Sequence, residues 1–440
     1  MLGCLRKSLV AFALGLCGLA CLAAVGGAAG APHARPSSLP PLGGENIVGV
    51  DSEPLRQADS AIAQARALHA RVVRSEVPWS ALEPFGPNRF DQGSLAFMDR
   101  LMGDATADGI RVILLVDSTP CWASSAPKSL LRKCAPLRSG KASAWPPSDP
   151  AAYASFVAFL AKRYGTGLAA IEVWNEPDQA NEDYFAGPHK AQRYAVILRA
   201  AYTAIKQANP LVPVLGGSLV GSNGVFLRAL YAAGIKGYYD GLAVHFYNLT
   251  LASVRSIHEV QLANGDATPL WLDEFGWSSC WPRQKIQEEQ ACVTAQTQAA
   301  NLADVFHSLA RTPYIAAEVP FKLQDSPGED FGVLTTRNAR KPAFAALSRV
   351  LASPFGNADP VTVSLSRRGG RVVARGSGPV GDFMQLEAFQ GTLLRYRVLF
   401  TLDRFNRYSI TLPGVLGSSG LRVRVFQYWT GVGRAVQKSI

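Results

Sequence analysis

Two glutamates at the ends of short apolar runs carry the chemistry of this chain. One stands in Ile171-Glu172-Val173-Trp174-Asn175-Glu176-Pro177, the other in Leu270-Trp271-Leu272-Asp273-Glu274-Phe275-Gly276. Each run is apolar, four to six residues long, and stops at Pro or Gly, as a buried strand does when it delivers a side chain to a rim. Two carboxyls beside Trp, one next to an Asn, suit acid-assisted cleavage of a glycosidic bond. One acid protonates the leaving oxygen, and the other carboxylate attacks the sugar or activates water.

Such a pair needs a scaffold that brings distant strand ends together. Strand candidates fall at 47–51, 72–76, 112–117, 171–174, 212–216, 242–247, 270–273 and 315–323, with amphipathic segments at 60–69, 94–108, 151–164, 189–208, 225–233 and 288–311. Eight strands alternating with helices over about 300 residues give the period of a (β/α)₈ barrel. A doubly wound open sheet would ask for a Gly-rich phosphate turn after an early strand, and none is present. In a barrel the chemistry collects at the C-terminal strand ends. There this chain places Arg74 and Trp79, Asp117 and Trp122, Asn175 and Glu176, His245 and Tyr247, Glu274 and Trp277, and Lys322. Taken singly, each has a bland reading: a satisfied core histidine, a packing tryptophan, a structural ion pair. Together they describe an aromatic-lined cleft with two acids.

After residue 352 the pattern changes. Short Val-, Leu- and Arg-rich runs at 361–365, 371–374, 384–389, 393–400, 409–412 and 421–428 are separated by Gly, Ser or Asn turns, with no helix between them. This reads as an antiparallel β-sandwich. The expected organisation is therefore a leader at 1–31, a linker at 32–44, the barrel at 45–352 and the β-sandwich at 353–440.

The leader has Arg6 and Lys7, an apolar run to about Ala29, and small residues before Ala-Pro-His. It reads as a secretory signal, with an uncleaved inner-membrane anchor as the alternative. Of seven cysteines, Cys4, Cys17 and Cys21 lie in the leader. The remaining four form two close pairs, expected to be disulfides: Cys121–Cys134 and Cys280–Cys292. No Cys-x-x-Cys is present and the six His are scattered, so no metal site is expected, and no organic cofactor is implied. The net charge is +11, and 355–440 holds twelve Lys and Arg against four Asp and Glu. That imbalance reads as a solvated basic surface, or as one drawn to an anionic polymer or envelope. Nucleic acid is not an expected partner. The expected product is an exported monomer, periplasmic or extracellular.

These residues resemble clan A of the glycoside hydrolases, the retaining (β/α)₈ enzymes in which an Asn-Glu pair closes the fourth strand and a second Glu closes the seventh. Asn175-Glu176 and Glu274 match those positions. Val73-Arg74-Ser75-Glu76-Val77-Pro78-Trp79, with Glu83-Pro84 and Phe90-Asp91, leans the resemblance towards family 39, and within it towards exported bacterial exopolysaccharide hydrolases. It implies Glu176 as acid/base and Glu274 as nucleophile, the latter kept ionised by Arg74 and Tyr247. It also implies Asn175 on the sugar 2-hydroxyl, His245 positioning the pair, and Trp79, Trp122 and Trp277 stacking on sugar faces. Many clan members floor the site with a Trp at the eighth strand end, where this chain has Phe321 and Lys322. The alternative is a catalytically weak carbohydrate-binding protein that assists polysaccharide assembly or export.

Overall fold

A computed structural model describes residues 54–439, apart from 222, 248–251, 284–291, 310–311, 354–359, 381–382, 415, 417–419 and 428–435. The expected leader, the linker and the strand expected at 47–51 lie outside the described residues.

Seven strands follow one another in chain order as a single parallel sheet: β1 (Val72–Pro78), β2 (Arg111–Asp117), β3 (Leu168–Val173), β4 (Val214–Leu219), β5 (Gly241–Phe246), β6 (Leu270–Phe275) and β7 (Ile315–Pro320). Helices connect them, as parallel crossovers require. β3 to β6 are buried at every position, which is why these segments read as apolar runs and not as alternating ones. This is the repeat of a (β/α)₈ fold. The helices begin where local chemistry sets them. Asp91 caps Gln92–Ala107 by accepting from the Ser94 amide at 2.8 Å. Pro150 opens Pro150–Tyr164 behind an Asp149 cap. The strand expected at 315–323 stops at Pro320, and the helix expected at 288–311 runs from Ala295 to Leu309.

Register slips near the strand ends re-aim side chains towards one mouth. Between β5 and β6 the pairing shifts after Val244, so His245 lies directly opposite Glu274. In β4 the chain kinks at Gly217, with φ +110°. A Cβ there would sit 2.8 Å from the Ala243 carbonyl oxygen, so only glycine fits, and the kink turns Ser218 inwards.

From Ser364 onward the described elements are strands alone: β8 (Ser364–Arg368), β9 (Arg371–Ser377), β10 (Met384–Gln390), β11 (Leu393–Phe400), β12 (Arg407–Thr411), β13 (Leu421–Gln427) and β14 (Val436–Ser439). They form two antiparallel sheets, ordered β11-β10-β13-β14 and β12-β9-β8. Val372 and Ala374 from one sheet and Leu386, Ala388, Val423 and Val425 from the other share an apolar core of their own. β14 was not expected from sequence, because Val-Gln-Lys-Ser offers a single apolar residue. Among the described residues no helix is long and apolar enough to cross a membrane.

Both expected disulfides are formed. Cys121–Cys134 has Cα atoms 5.8 Å apart and Cys280–Cys292 has them 5.1 Å apart.

Candidate active site

The turn after β3 sets the first carboxyl. Trp174 and Glu176 both have left-handed backbones, with φ +69° and +43°, on either side of Asn175. That conformation is unfavourable for side chains with a Cβ, so packing must hold it. The Trp174 indole is fully buried, donates its N–H to the Tyr184 carbonyl at 2.9 Å and meets Phe185 edge-on. Asp178 accepts from the Val220 and Gly221 amides and so ties the turn to the end of β4. Glu176 is thereby aimed across the mouth, one carboxylate oxygen accepting from Gln179 Nε2 at 2.9 Å.

The second carboxyl comes from β6. Glu274 accepts from Arg74 at 2.5 Å through one oxygen and from the Tyr247 hydroxyl at 2.8 Å through the other. His245 Nδ1 stands between the two acids, 2.7 Å from Glu176 Oε1 and 3.3 Å from Glu274 Oε2. Ligating oxygens of Glu176 and Glu274 lie within 4.8 Å of one another and of the His245 ring nitrogen. Burial alone would push the Glu274 carboxyl up. The charges of His245 and Arg74, with hydrogen bonds from Tyr247 and Arg74, outweigh it and hold Glu274 below the usual carboxylate range. For His245 burial works the other way, against the cation. The Glu274 charge, the bond to Glu176 and the Asp273 and Glu176 charges overcome it and raise the imidazole to about 10. His245 Nδ1 and Glu176 Oε1 thus share one hydrogen bond.

Beneath this pair Arg74, expected from sequence, joins a network whose other members, Glu172, Ser218 and Asp273, sequence reading did not single out. Arg74, itself buried, grips Glu172 with Nε and a terminal nitrogen, both at 2.7 Å, while its other terminal nitrogen reaches Glu274. Such a two-pronged grip fixes the guanidinium plane and hence its aim. Ser218, turned in by the Gly217 kink, also donates to Glu172. Glu172 is held low: burial opposes its charge, but Arg74 more than compensates. Asp273 has the opposite fate. Burial, then the neighbouring Glu172 charge, pushes it well above the usual range. Arg74 and His245 thus face Glu172 and Glu274, the two carboxyls held below the usual range. Glu172 carries a signal that could have been read: a charge in the middle of an otherwise apolar buried strand, two strands from a mid-strand arginine.

Asn175 is buried, and its side-chain oxygen accepts from Arg74 at 3.3 Å, which orients the amide so that its NH₂ is the end left to donate. The expected aromatic platform needs correction. Trp79 is 0% exposed: it lies flat on Phe156, meets Trp122 and Tyr153 edge-on, and donates to Glu83 at 2.7 Å. It has no face to offer a sugar. Trp277 is 3% exposed and is likewise a packing residue. Trp122 is half-buried, its indole N–H held by the Glu83 carbonyl at 2.8 Å, and it alone of the three keeps an open surface. Tyr184, 40% exposed, was not expected. Its hydroxyl is pushed up by burial and then by the Glu176 and Glu274 charges. Lys322 is not free for a sugar: it is buried and bonded to Glu329 and Ser326, both at 2.6 Å.

Two donor sets have the spacing of a metal site, Glu176-His245-Glu274 and Glu172-His245-Asp273. Both draw on His245.

No protein-family model matches the chain. No curated protein matches it either. Solved structures do, at low identity. A family 39 glycoside hydrolase from the gut symbiont Bacteroides cellulosilyticus WH2 superposes with a TM-score of 0.55 at 16% identity, covering 84% of this chain and 79% of that one. The GH39 enzyme from Xanthomonas axonopodis pv. citri gives 0.51 at 15%, covering 86% and 91%. A GH39 beta-xylosidase from Caulobacter crescentus gives 0.50 at 18%, covering 80% and 82%. At these identities the likeness is one of fold.

Proposed function

We propose that this protein is a retaining glycoside hydrolase that cleaves β-glycosidic bonds by double displacement, with Glu274 as nucleophile and Glu176 as acid/base. The observation that carries this reading is that one oxygen of each carboxyl lies within 4.8 Å of one of the other's, with Glu274 held below the usual carboxylate range by His245, Arg74 and Tyr247. A retaining pair stands about 5–5.5 Å apart, whereas an inverting pair needs roughly 6.5–9.5 Å to admit water. The fold shared with family 39 enzymes supports the same reading.

In the first step a Glu274 oxygen bonds to the anomeric carbon while the bond from that carbon to the leaving oxygen breaks. Glu176 gives its proton to the leaving oxygen, so the alcohol departs neutral. In the second, Glu176 takes a proton from water, the water oxygen bonds to the anomeric carbon, and the ester bond to Glu274 breaks. Two inversions leave the configuration retained. During the first step negative charge leaves Glu274 and appears on Glu176. His245 lies 3.3 Å from one and 2.7 Å from the other, so the imidazole faces the charge at both ends of the transfer without moving. Asn175 offers its NH₂ to the sugar 2-hydroxyl. Trp122 and Tyr184 are the aromatic surfaces left for the sugar.

The substrate in this reading is a poly- or oligosaccharide, with a bacterial exopolysaccharide favoured, and the enzyme is exported. Two disulfides support export, since such bonds persist in oxidising compartments. We also read the parallel sheet as a closed eight-stranded barrel and the strands from Ser364 onward as a β-sandwich accessory domain. The test uses activated aryl β-glycosides and a 2-deoxy-2-fluoro analogue. Turnover by the wild type, with a glycosyl adduct on the peptide that contains Glu274, is expected. Absence of both, with polysaccharide binding intact, would favour the binding-protein alternative.

A further inference from the structure

Away from the catalytic pair, the helix Ala295–Leu309 and C-terminal segments at Pro360–Thr362, Ser377–Gly378 and Phe405–Asn406 line a recess of about 370 Å³. That is within the range of small-ligand pockets, about 300–1,000 Å³. Its wall carries the hydroxyl side chains Thr297, Thr362 and Ser377 and the amide of Asn406, with no charged residue among them. Phe405 forms one lip and is 37% exposed. Against it, edge to face with ring centres 6.2 Å apart, stands Trp281, 38% exposed. The Arg404 guanidinium lies 5.3 Å from the Trp281 ring centre.

Large exposed aromatics beside a wall of hydroxyls and amides make an amphipathic surface: apolar faces for C–H groups, neutral donors and acceptors for hydroxyls. Sugar rings present both. The parts are also held in place before any ligand arrives. Trp281 follows Cys280, which is bonded to Cys292, and its amide donates to the Val293 carbonyl at 3.2 Å. Asn406 donates to Asn301 on the helix at 2.7 Å, which fixes the loop bearing Phe405. Fixed aromatics bind with little ordering loss. None of these residues contributes to the catalytic pair or its supporting network.

We propose that Trp281, Phe405 and this recess form a second glycan-binding site, which holds a distant stretch of the polymer whose bond is cut between Glu176 and Glu274. The identity of its ligand as substrate polymer rests on the hydrolase reading. Binding at the recess does not.

Native gel electrophoresis through gels containing xylan, hydroxyethylcellulose or glucomannan tests it. The wild type should be retarded by at least one of the three, and Glu274→Gln should be retarded equally. Trp281→Ala and Phe405→Ala should each weaken retention about tenfold, as truncation of an aromatic anchor does, while Trp281→Phe keeps most of it. Melting temperatures of the variants check that each is folded. Turnover of a small aryl glycoside should be unchanged in all three surface variants. Retention unaltered in both alanine variants, or a wild type that none of the gels retards, overturns the second site. Retention that depends on Trp281 in a protein without hydrolytic activity would uphold the site and overturn the hydrolase reading instead.

Discussion

Arg74 is the residue whose loss should be most informative, because it does two things with one guanidinium. It holds Glu172 at 2.7 Å through two nitrogens and Glu274 through a third. Lysine keeps the charge but offers one ammonium, which cannot span both carboxylates in that fork. In Arg74→Lys the ammonium should stay with one carboxylate, and Glu274 loses a donor that offsets its burial. Removal of one preorganised donor from an active site costs about 2.7–4 kcal/mol, or roughly 10²–10³ in kcat. The Glu274 carboxyl should also rise, by one pKa unit for each 1.36 kcal/mol lost. Glu274 is depressed in the fold, so activity and stability that need its charge are present above the unfolded value and fail as pH falls through the folded one. In Arg74→Lys that failure begins at higher pH. The assay is kcat/KM for an activated aryl glycoside against pH: the plateau should fall about a hundredfold or more and the acid limb should move up. Arg74→Met, which leaves two buried carboxylates without their cation, should also lower stability by about 3–5 kcal/mol in urea unfolding. An Arg74→Lys enzyme within threefold of wild type, its acid limb unmoved, would refute the placement of Arg74 as the group that keeps Glu274 ionised.

Glu176→Gln should fail on substrates with poor leaving groups yet still form the glycosyl-enzyme from very good ones, while Glu274→Gln should stop both. Azide with a Glu176→Ala enzyme should give a product of retained configuration, and with Glu274→Ala the inverted one; the exchanged result would swap the two roles. His245 is raised to about 10 in the fold, so its contribution to stability is full below the ordinary imidazole value near 6.5 and disappears as pH rises through about 10. Unfolding free energy of the wild type should therefore decline over that interval, and His245→Gln should flatten the decline. Trp79→Ala should lower stability by about 3–5 kcal/mol through the cavity it leaves. KM of the folded variant should be unchanged, since the ring touches only protein. Reduction of Cys121–Cys134 or Cys280–Cys292, which close loops of 13 and 12 residues, should each remove at most about 3 kcal/mol.

The sequence by itself determined the alternation of apolar runs and amphipathic segments, hence the parallel sheet, because period and turn residues are local properties. It also determined which strand ends carry carboxyls, and the two cysteine pairs, whose partners lie close along the chain. Tertiary structure decided everything that depends on which face a side chain takes after a local slip. The register shift after Val244 sets His245 against Glu274, and the kink at Gly217 brings Ser218 to Glu172; neither leaves a mark on hydrophobic periodicity. The aromatic residues show the same limit from the other side. Trp79, Trp122 and Trp277 look alike as letters near strand ends, yet Trp79 is sealed between Phe156 and Tyr153 while Trp122 keeps an open face. Burial is a sum over neighbours from the whole chain, and residue type fixes only the tendency towards it. Charge state is decided the same way. Glu172, Asp273 and Glu274 are all buried carboxyls, yet Arg74 holds Glu172 low, His245 and Arg74 together hold Glu274 low, and burial beside Glu172 pushes Asp273 up.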